Sequence, residues 1–195
     1  NINNKINTYN NSETKKQFGT VSEIHKKEND TKYVIEYFDI KRFNEFLNNK
    51  ISYDDGILQK FEDPKGDYNI TYRLTWSPKL SLYEKCSNLK KIYDLHYDIY
   101  ERAVTYDGEE FQTKTEPVKG THLPERMQQI AINISNHVSN ITLEKVKIVR
   151  MILNFKVDKK DRLLLLWCSS LRIGEASNKK ISNDKNKFLK KELSA

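Results

Sequence analysis

Apolar and polar residues alternate most clearly between residues 149 and 173. Val149, Met151, Leu153, Phe155 and Val157 fall on one side of an extended chain. Arg150, Asn154 and Lys156, with Ile152 among them, fall on the other. Four charged residues follow, Asp158, Lys159, Lys160 and Asp161. On the return, Leu163, Leu165 and Trp167 share one side and Leu164, Leu166 and Cys168 the opposite one. A period of two is that of a strand, and a strand apolar on both faces is usually covered above and below. The pattern therefore predicts a hairpin at the middle of a domain. Leucine also favours helix, so a single helix over 162–173 stays open.

Upstream, Tyr68, Ile70, Tyr72, Leu74 and Trp76 alternate strictly with Asn69, Thr71, Arg73 and Thr75, which predicts a half-buried strand. Asp63-Pro64-Lys65-Gly66 has turn chemistry: Asp63 can bond the following backbone, Pro64 presets φ, and Gly66 stands fourth. It predicts a hairpin joining residues 57–62 to 67–76. Ser77 and Pro78 end that strand, and residues 80–86 continue as another. Residues 33–38 suit a strand through β-branched and aromatic content. Asp39 then caps a short helix with Ile40, Phe43, Phe46 and Leu47 on one face. Met127, Ile130, Ala131, Ile134 and Val138 recur at helical spacing after Pro124, which suits a first helical turn. Residues 88–104 fit helix and strand alike. We expect an irregular or helical start, then a strand over 101–106 closed by Asp107-Gly108.

Together these elements predict a single α+β domain over residues 33–173, with a largely antiparallel sheet and two or more packed helices. Residues 1–32 hold no sustained periodicity and read as a disordered Asn/Lys-rich arm. Residues 174–195 read as a basic tail, disordered or partly helical.

Charge refines this picture. The net charge is +7 over 195 residues, which invites a nucleic-acid reading. Residues 1–32 carry six Lys against four acids and residues 174–195 six against three, leaving the middle with 22 basic and 20 acidic residues. Most of the excess thus sits outside the expected core, where it can attract any polyanion. Two cysteines, Cys86 and Cys168, make neither a metal set nor a disulfide framework. Both stand among apolar residues, so we expect buried, inert thiols. The longest strongly apolar run, Leu163–Cys168, is far short of a bilayer span. No charged-then-apolar leader opens the sequence, and we expect an intracellular, cytoplasmic protein.

Candidate chemistry is sparse. Asp94, His96, Asp98 and Glu101 gather four possible ligands, but an EF-hand needs a longer loop with a glycine, and no second His/Cys cluster completes a zinc site. No nucleophile elbow, Walker loop or dinucleotide glycine pattern occurs. We therefore expect no catalytic residue, no cofactor, no metal and no small-molecule ligand. Two interaction surfaces remain. Tyr68, Tyr72 and Trp76 form an aromatic row beside Arg73, similar to single-strand stacking platforms, although a hydrophobic sheet face under a helix is the preferred reading of the row. Arg150, Arg162 and Arg172 can fork onto carboxylates of the same chain or of an acidic partner.

Residues 57–66, 75–84, 100–108 and 147–173, taken together, resemble a group of poorly characterised eukaryotic proteins associated with ciliated or flagellated lineages. The resemblance covers about residues 55–173. It implies a protein-interaction or scaffold domain of the flagellar or basal-body microtubule cytoskeleton, with tubulin or axonemal proteins as partners. A nucleic-acid-binding module is the alternative reading, and an enzyme without a local signature a second one.

Overall fold

The computed structural model describes residues 19–27, 30–48 and 56–175. The fold is α+β, with two antiparallel sheets. Strands β1 (Gly19–Lys27), β2 (Asp30–Phe38) and β3 (Gly56–Lys60) form a three-stranded sheet in the order β2-β1-β3. Helix α1 (Ile40–Asn48) follows β2. Strands β4 (Tyr68–Trp76), β5 (Ser81–Lys91), β6 (Thr113–Pro117), β7 (Val146–Val157) and β8 (Leu163–Glu175) form the larger sheet, in the order β6-β5-β4-β7-β8. Helix α2 (Ile99–Ala103) and a short 3-10 turn (Glu110–Gln112) lie between β5 and β6, and helix α3 (His122–Ile141) between β6 and β7.

The main core lies between α3 and the larger sheet. Met127 and Ala131 of α3 are fully buried against Leu74, Trp76, Ile148, Met151, Leu153 and Phe155. Removing one such side chain from water stabilises the fold by roughly 1.5–3 kcal/mol. The helical spacing and the period of two thus meet at one interface. After α3, Leu143 and Glu144 adopt left-handed backbone, φ 50° and 61°, and Thr142 Oγ1 donates to the Val138 carbonyl at 2.7 Å. Together they turn the chain into β7.

A second cluster covers the opposite face of the sheet: Tyr37, Phe61, Ile92, Ile99, Ala103 and Val104. Here β4 departs from the half-buried expectation, because Asn69 and Thr71 on its polar face are also buried. The reason is a set of side-chain bonds to the α2 segment. Asn88 Nδ2 donates to the carbonyls of Glu101 and Val104 at 3.0 and 2.9 Å, Asn69 Nδ2 donates to the Ala103 carbonyl, and Thr105 Oγ1 donates to Thr71 Oγ1 at 2.9 Å.

Four more expectations need correction. Residues 19–27 and 30–32, expected within a disordered arm, belong to strands, since β1 pairs with both β2 and β3; residues 1–18 and 176–195 lie outside the described residues. Asp63–Gly66 does not join a hairpin, because β3 pairs with β1 in the other sheet. Instead Pro64 bridges Asp158, and Lys159 Nζ bonds Asp63 Oδ2 at 2.9 Å, docking this loop on the β7–β8 turn. Residues 101–106 are not a strand: β5 runs through Lys91, and Asp98 and Glu101 then form a capping box that starts α2. Finally, the β7–β8 hairpin is present, which excludes a helix over 162–173, but only β7 is internal; β8 is an edge strand. Among the described residues no helix is long and apolar enough to cross a membrane.

Candidate functional site

The polar face of the larger sheet carries a row of chemistry that is partly enclosed. Arg73 on β4 pairs in register with Asn154 on β7, and Lys156 stands two residues further along the same face. Arg73 Nε donates to Asn154 Oδ1 at 3.2 Å, and Asn154 Nδ2 donates to Ser169 Oγ at 3.1 Å. The Arg73 guanidinium lies 3.4 Å from the centroid of the Tyr106 ring, a stacked cation–π arrangement. Asp107, next in sequence, accepts from Thr105 N at 3.0 Å and from the Tyr37 hydroxyl at 3.3 Å, both at Oδ1.

Of these, Arg73, Tyr106, Asp107 and Ser169 border a cleft of about 320 Å³ between the two sheets. Ile35 of β2 and Ile57 of β3 form one wall, and Leu166 and Trp167 of β8 the other. A smaller cavity adjoins it, sharing Gln59, Leu166 and Trp167 and reaching Lys156. Burial governs the electrostatics. It pushes the Asp107 carboxyl and the Tyr106 phenol up, and pulls the Arg73 guanidinium down. Lys156 is almost wholly enclosed, and burial brings its ammonium down to about 7 although Asp63 and Glu62 favour the charge. Its Nζ sits 3.7 Å from the centroid of Phe61.

The second feature is the β8 edge. Leu165, Leu171 and Ile173 are 42%, 59% and 59% exposed, too much for a strand covered on both faces. Leu171 and Ile173 pair with the buried Met151 and Ile148, so they extend the helix-bearing face of the sheet beyond the core beneath α3. On the other face, Arg150 and Arg172 are direct cross-strand partners. Arg150 Nη2 donates to Ser170 Oγ at 3.5 Å, and among the described residues neither guanidinium pairs with a carboxylate.

The residues singled out in the sequence therefore separate. Trp76 is 6% exposed in the α3 core and Tyr72 packs against it, leaving Tyr68 exposed at the start of β4. The aromatic row is a sheet face under a helix, and Arg73 points to the opposite side. Arg162 is a turn clamp: its Nε bonds Asp158 Oδ2 at 2.6 Å while Asp158 Oδ1 accepts from the amides of Lys160 and Arg162. Arg150 and Arg172 do come together. Asp94 binds the His96 ring at 2.8 Å, and Asp98 and Glu101 cap α2. Those carboxylates serve local structure. Cys86 is buried as expected, but Cys168 is exposed and borders the cleft, because its strand is an edge.

Asn154, Lys156, Tyr106, Asp107 and Trp167 did not emerge as site residues from the sequence. Their signal was present in part: an amide and an ammonium inside the apolar run of β7 contradict a solvated face once both sides are covered. In comparison with known proteins, no family model, curated protein or solved structure matches the chain.

Proposed function

We propose that this chain is a non-enzymatic protein-interaction domain that docks an extended segment of an acidic partner along β8. The observation that carries this reading is the edge itself: 13 residues long, bordered by one neighbour among the described residues, and lined with exposed Leu165, Leu171 and Ile173. Exposed, apolar edge strands invite pairing with another chain, and strand addition combines backbone hydrogen bonds with side-chain pockets. The Arg150–Arg172 pair supplies the charge preference, since like charges directly opposite on a sheet are unfavourable until a carboxylate neutralises them.

The resemblance of residues 55–173 to proteins of ciliated and flagellated lineages supports a location on the flagellar or basal-body microtubule cytoskeleton. The Lys-rich stretches at both ends of the sequence support long-range attraction to an acidic surface, which salt weakens.

The test is affinity capture with the full 195-residue chain, wild type against Leu171→Glu/Ile173→Glu, at low and high salt. The proposal expects tubulin or axonemal proteins to remain on the wild type at high salt and to be lost from the variant. Equal capture by both proteins contradicts docking at β8. Loss of all partners to nuclease removes the protein-interaction reading.

A further inference from the structure

Arg73 occupies an unusual position, on β4 at a cleft that β8 also lines. Its guanidinium is held by two neutral groups, the Tyr106 ring and the Asn154 amide. Among the described residues it forms no ion pair, although Glu84, its cross-strand partner on β5, and Asp107 act on its charge through space. Nε is used by Asn154, so the two Nη groups remain to fork onto an anion. A half-buried cation fixed in orientation by stacking, beside an open cleft, has the geometry of an anchor rather than of a structural ion pair.

The rest of the cleft sets the shape of what it can hold. Ile35, Ile57, Leu166 and Trp167 supply apolar walls, and a volume of about 320 Å³ lies in the range of small-molecule sites. Lys156, on the same sheet face in the adjoining cavity, adds a second basic group. Tyr106 and Asp107 border the cleft, and each has a buried oxygen, Oη and Oδ2, with no hydrogen-bond partner. Buried polar atoms are normally paired; Asp107 Oδ2 is an acceptor that repels an oxyanion, which sets the anionic head group on the Arg73 side of the cleft.

We infer that this inter-sheet cleft binds a small organic anion, with a carboxylate or phosphate on Arg73 and a flat apolar body between Trp167 and Ile57. The two head groups share one chemistry: a planar or tetrahedral oxyanion accepting paired N–H bonds. The flat apolar body follows from the Trp167 ring and the apolar side chains of Ile35, Ile57 and Leu166 that line the same cleft.

Three probes test it on the full chain by calorimetry: 1-naphthoate, 1-naphthyl phosphate and the neutral 1-naphthalenemethanol. Trp167 fluorescence reports location, with Trp76 a constant background inside the α3 core. The inference expects saturable one-to-one binding of an anionic probe, at least tenfold tighter than the alcohol, with a change in emission. The stronger of the two anions identifies the head group. Arg73→Gln should erase the preference for charge, and Ile57→Trp, which enlarges another lining side chain, should weaken all binding in the calorimeter. Equal affinity for anionic and neutral probes, or no binding to the wild type, overturns the inference. So does a charge preference that survives Arg73→Gln. Should Arg73→Gln fail to fold, the wild-type comparison and Ile57→Trp decide the matter alone.

Discussion

Arg150 and Arg172 face each other directly across β7 and β8. Like charges so placed on a sheet cost stability, typically by a few tenths to 1 kcal/mol. A stability-neutral sequence would place a carboxylate at one of the two positions. Arg172→Gln is therefore expected to raise thermal stability slightly while lowering partner affinity. A melt and a capture experiment on the same variant check both halves, and a drop in stability would mean the pair is held by something other than a partner.

Lys156 makes stability depend on pH in the alkaline range. Folding lowers its pKa from the ordinary 10.5 to about 7. Between those values the unfolded chain binds more protons than the folded one, so stability rises as pH rises. The slope approaches on the order of 1 kcal/mol per pH unit at most. Lys156→Met keeps the length of the side chain and should flatten this dependence. Urea titrations at pH 7 and pH 9.5 measure it; parallel behaviour of the two proteins would show that Lys156 is not enclosed.

Asn88 ties β5 to the α2 segment through two bonds and is held in place by a third within β5. It donates twice, to Glu101 and Val104, and accepts from the Lys90 amide at 2.7 Å. Asn88→Leu leaves buried carbonyls without a donor and should cost about 2–3 kcal/mol. Asn88→Asp should cost more, because it sets an anion against two carbonyl oxygens. Denaturant midpoints rank the three proteins, and a tolerated Asp would refute the network.

The two cysteines should differ sharply towards a thiol reagent. Cys86 is 1% exposed, whereas Cys168 lies open on the edge strand. Native protein should titrate one thiol rapidly with Ellman's reagent and the second only after denaturation. Cys168→Ser should remove the rapid phase; a rapid phase in that variant would place Cys86 at the surface.

What the sequence showed, and what it hid, follows from the range of the interactions. Strand β4 and helix α3 were legible because period and burial coincide on the Leu74–Trp76 and Met127–Ala131 faces. The Asp98–Glu101 spacing is that of a capping box, yet residues 88–104 fit both periods, and the strand was expected at 101–106, where the helix in fact runs through Ala103. The chain does bend at residues 65–67, but turn chemistry does not say which strands pair, and Asp63 bonds Lys159 rather than the following backbone. The cleft was hidden for a related reason. Asn69, Thr71 and Arg73 alternate as a solvated face would, and only the α2 segment and the second sheet cover them. The β8 edge misled in the opposite direction, since leucines on both faces normally mean a central strand.

The most direct measurement of the central proposal is amide hydrogen exchange along β8, with the full chain alone and bound to its captured partner. Docking by strand addition predicts new protection at alternate amides between Leu163 and Glu175, concentrated around Leu171–Ile173, with β4 and β5 unchanged. Protection confined to α3, β6 or the cleft, with β8 exchanging as in the free protein, would contradict it.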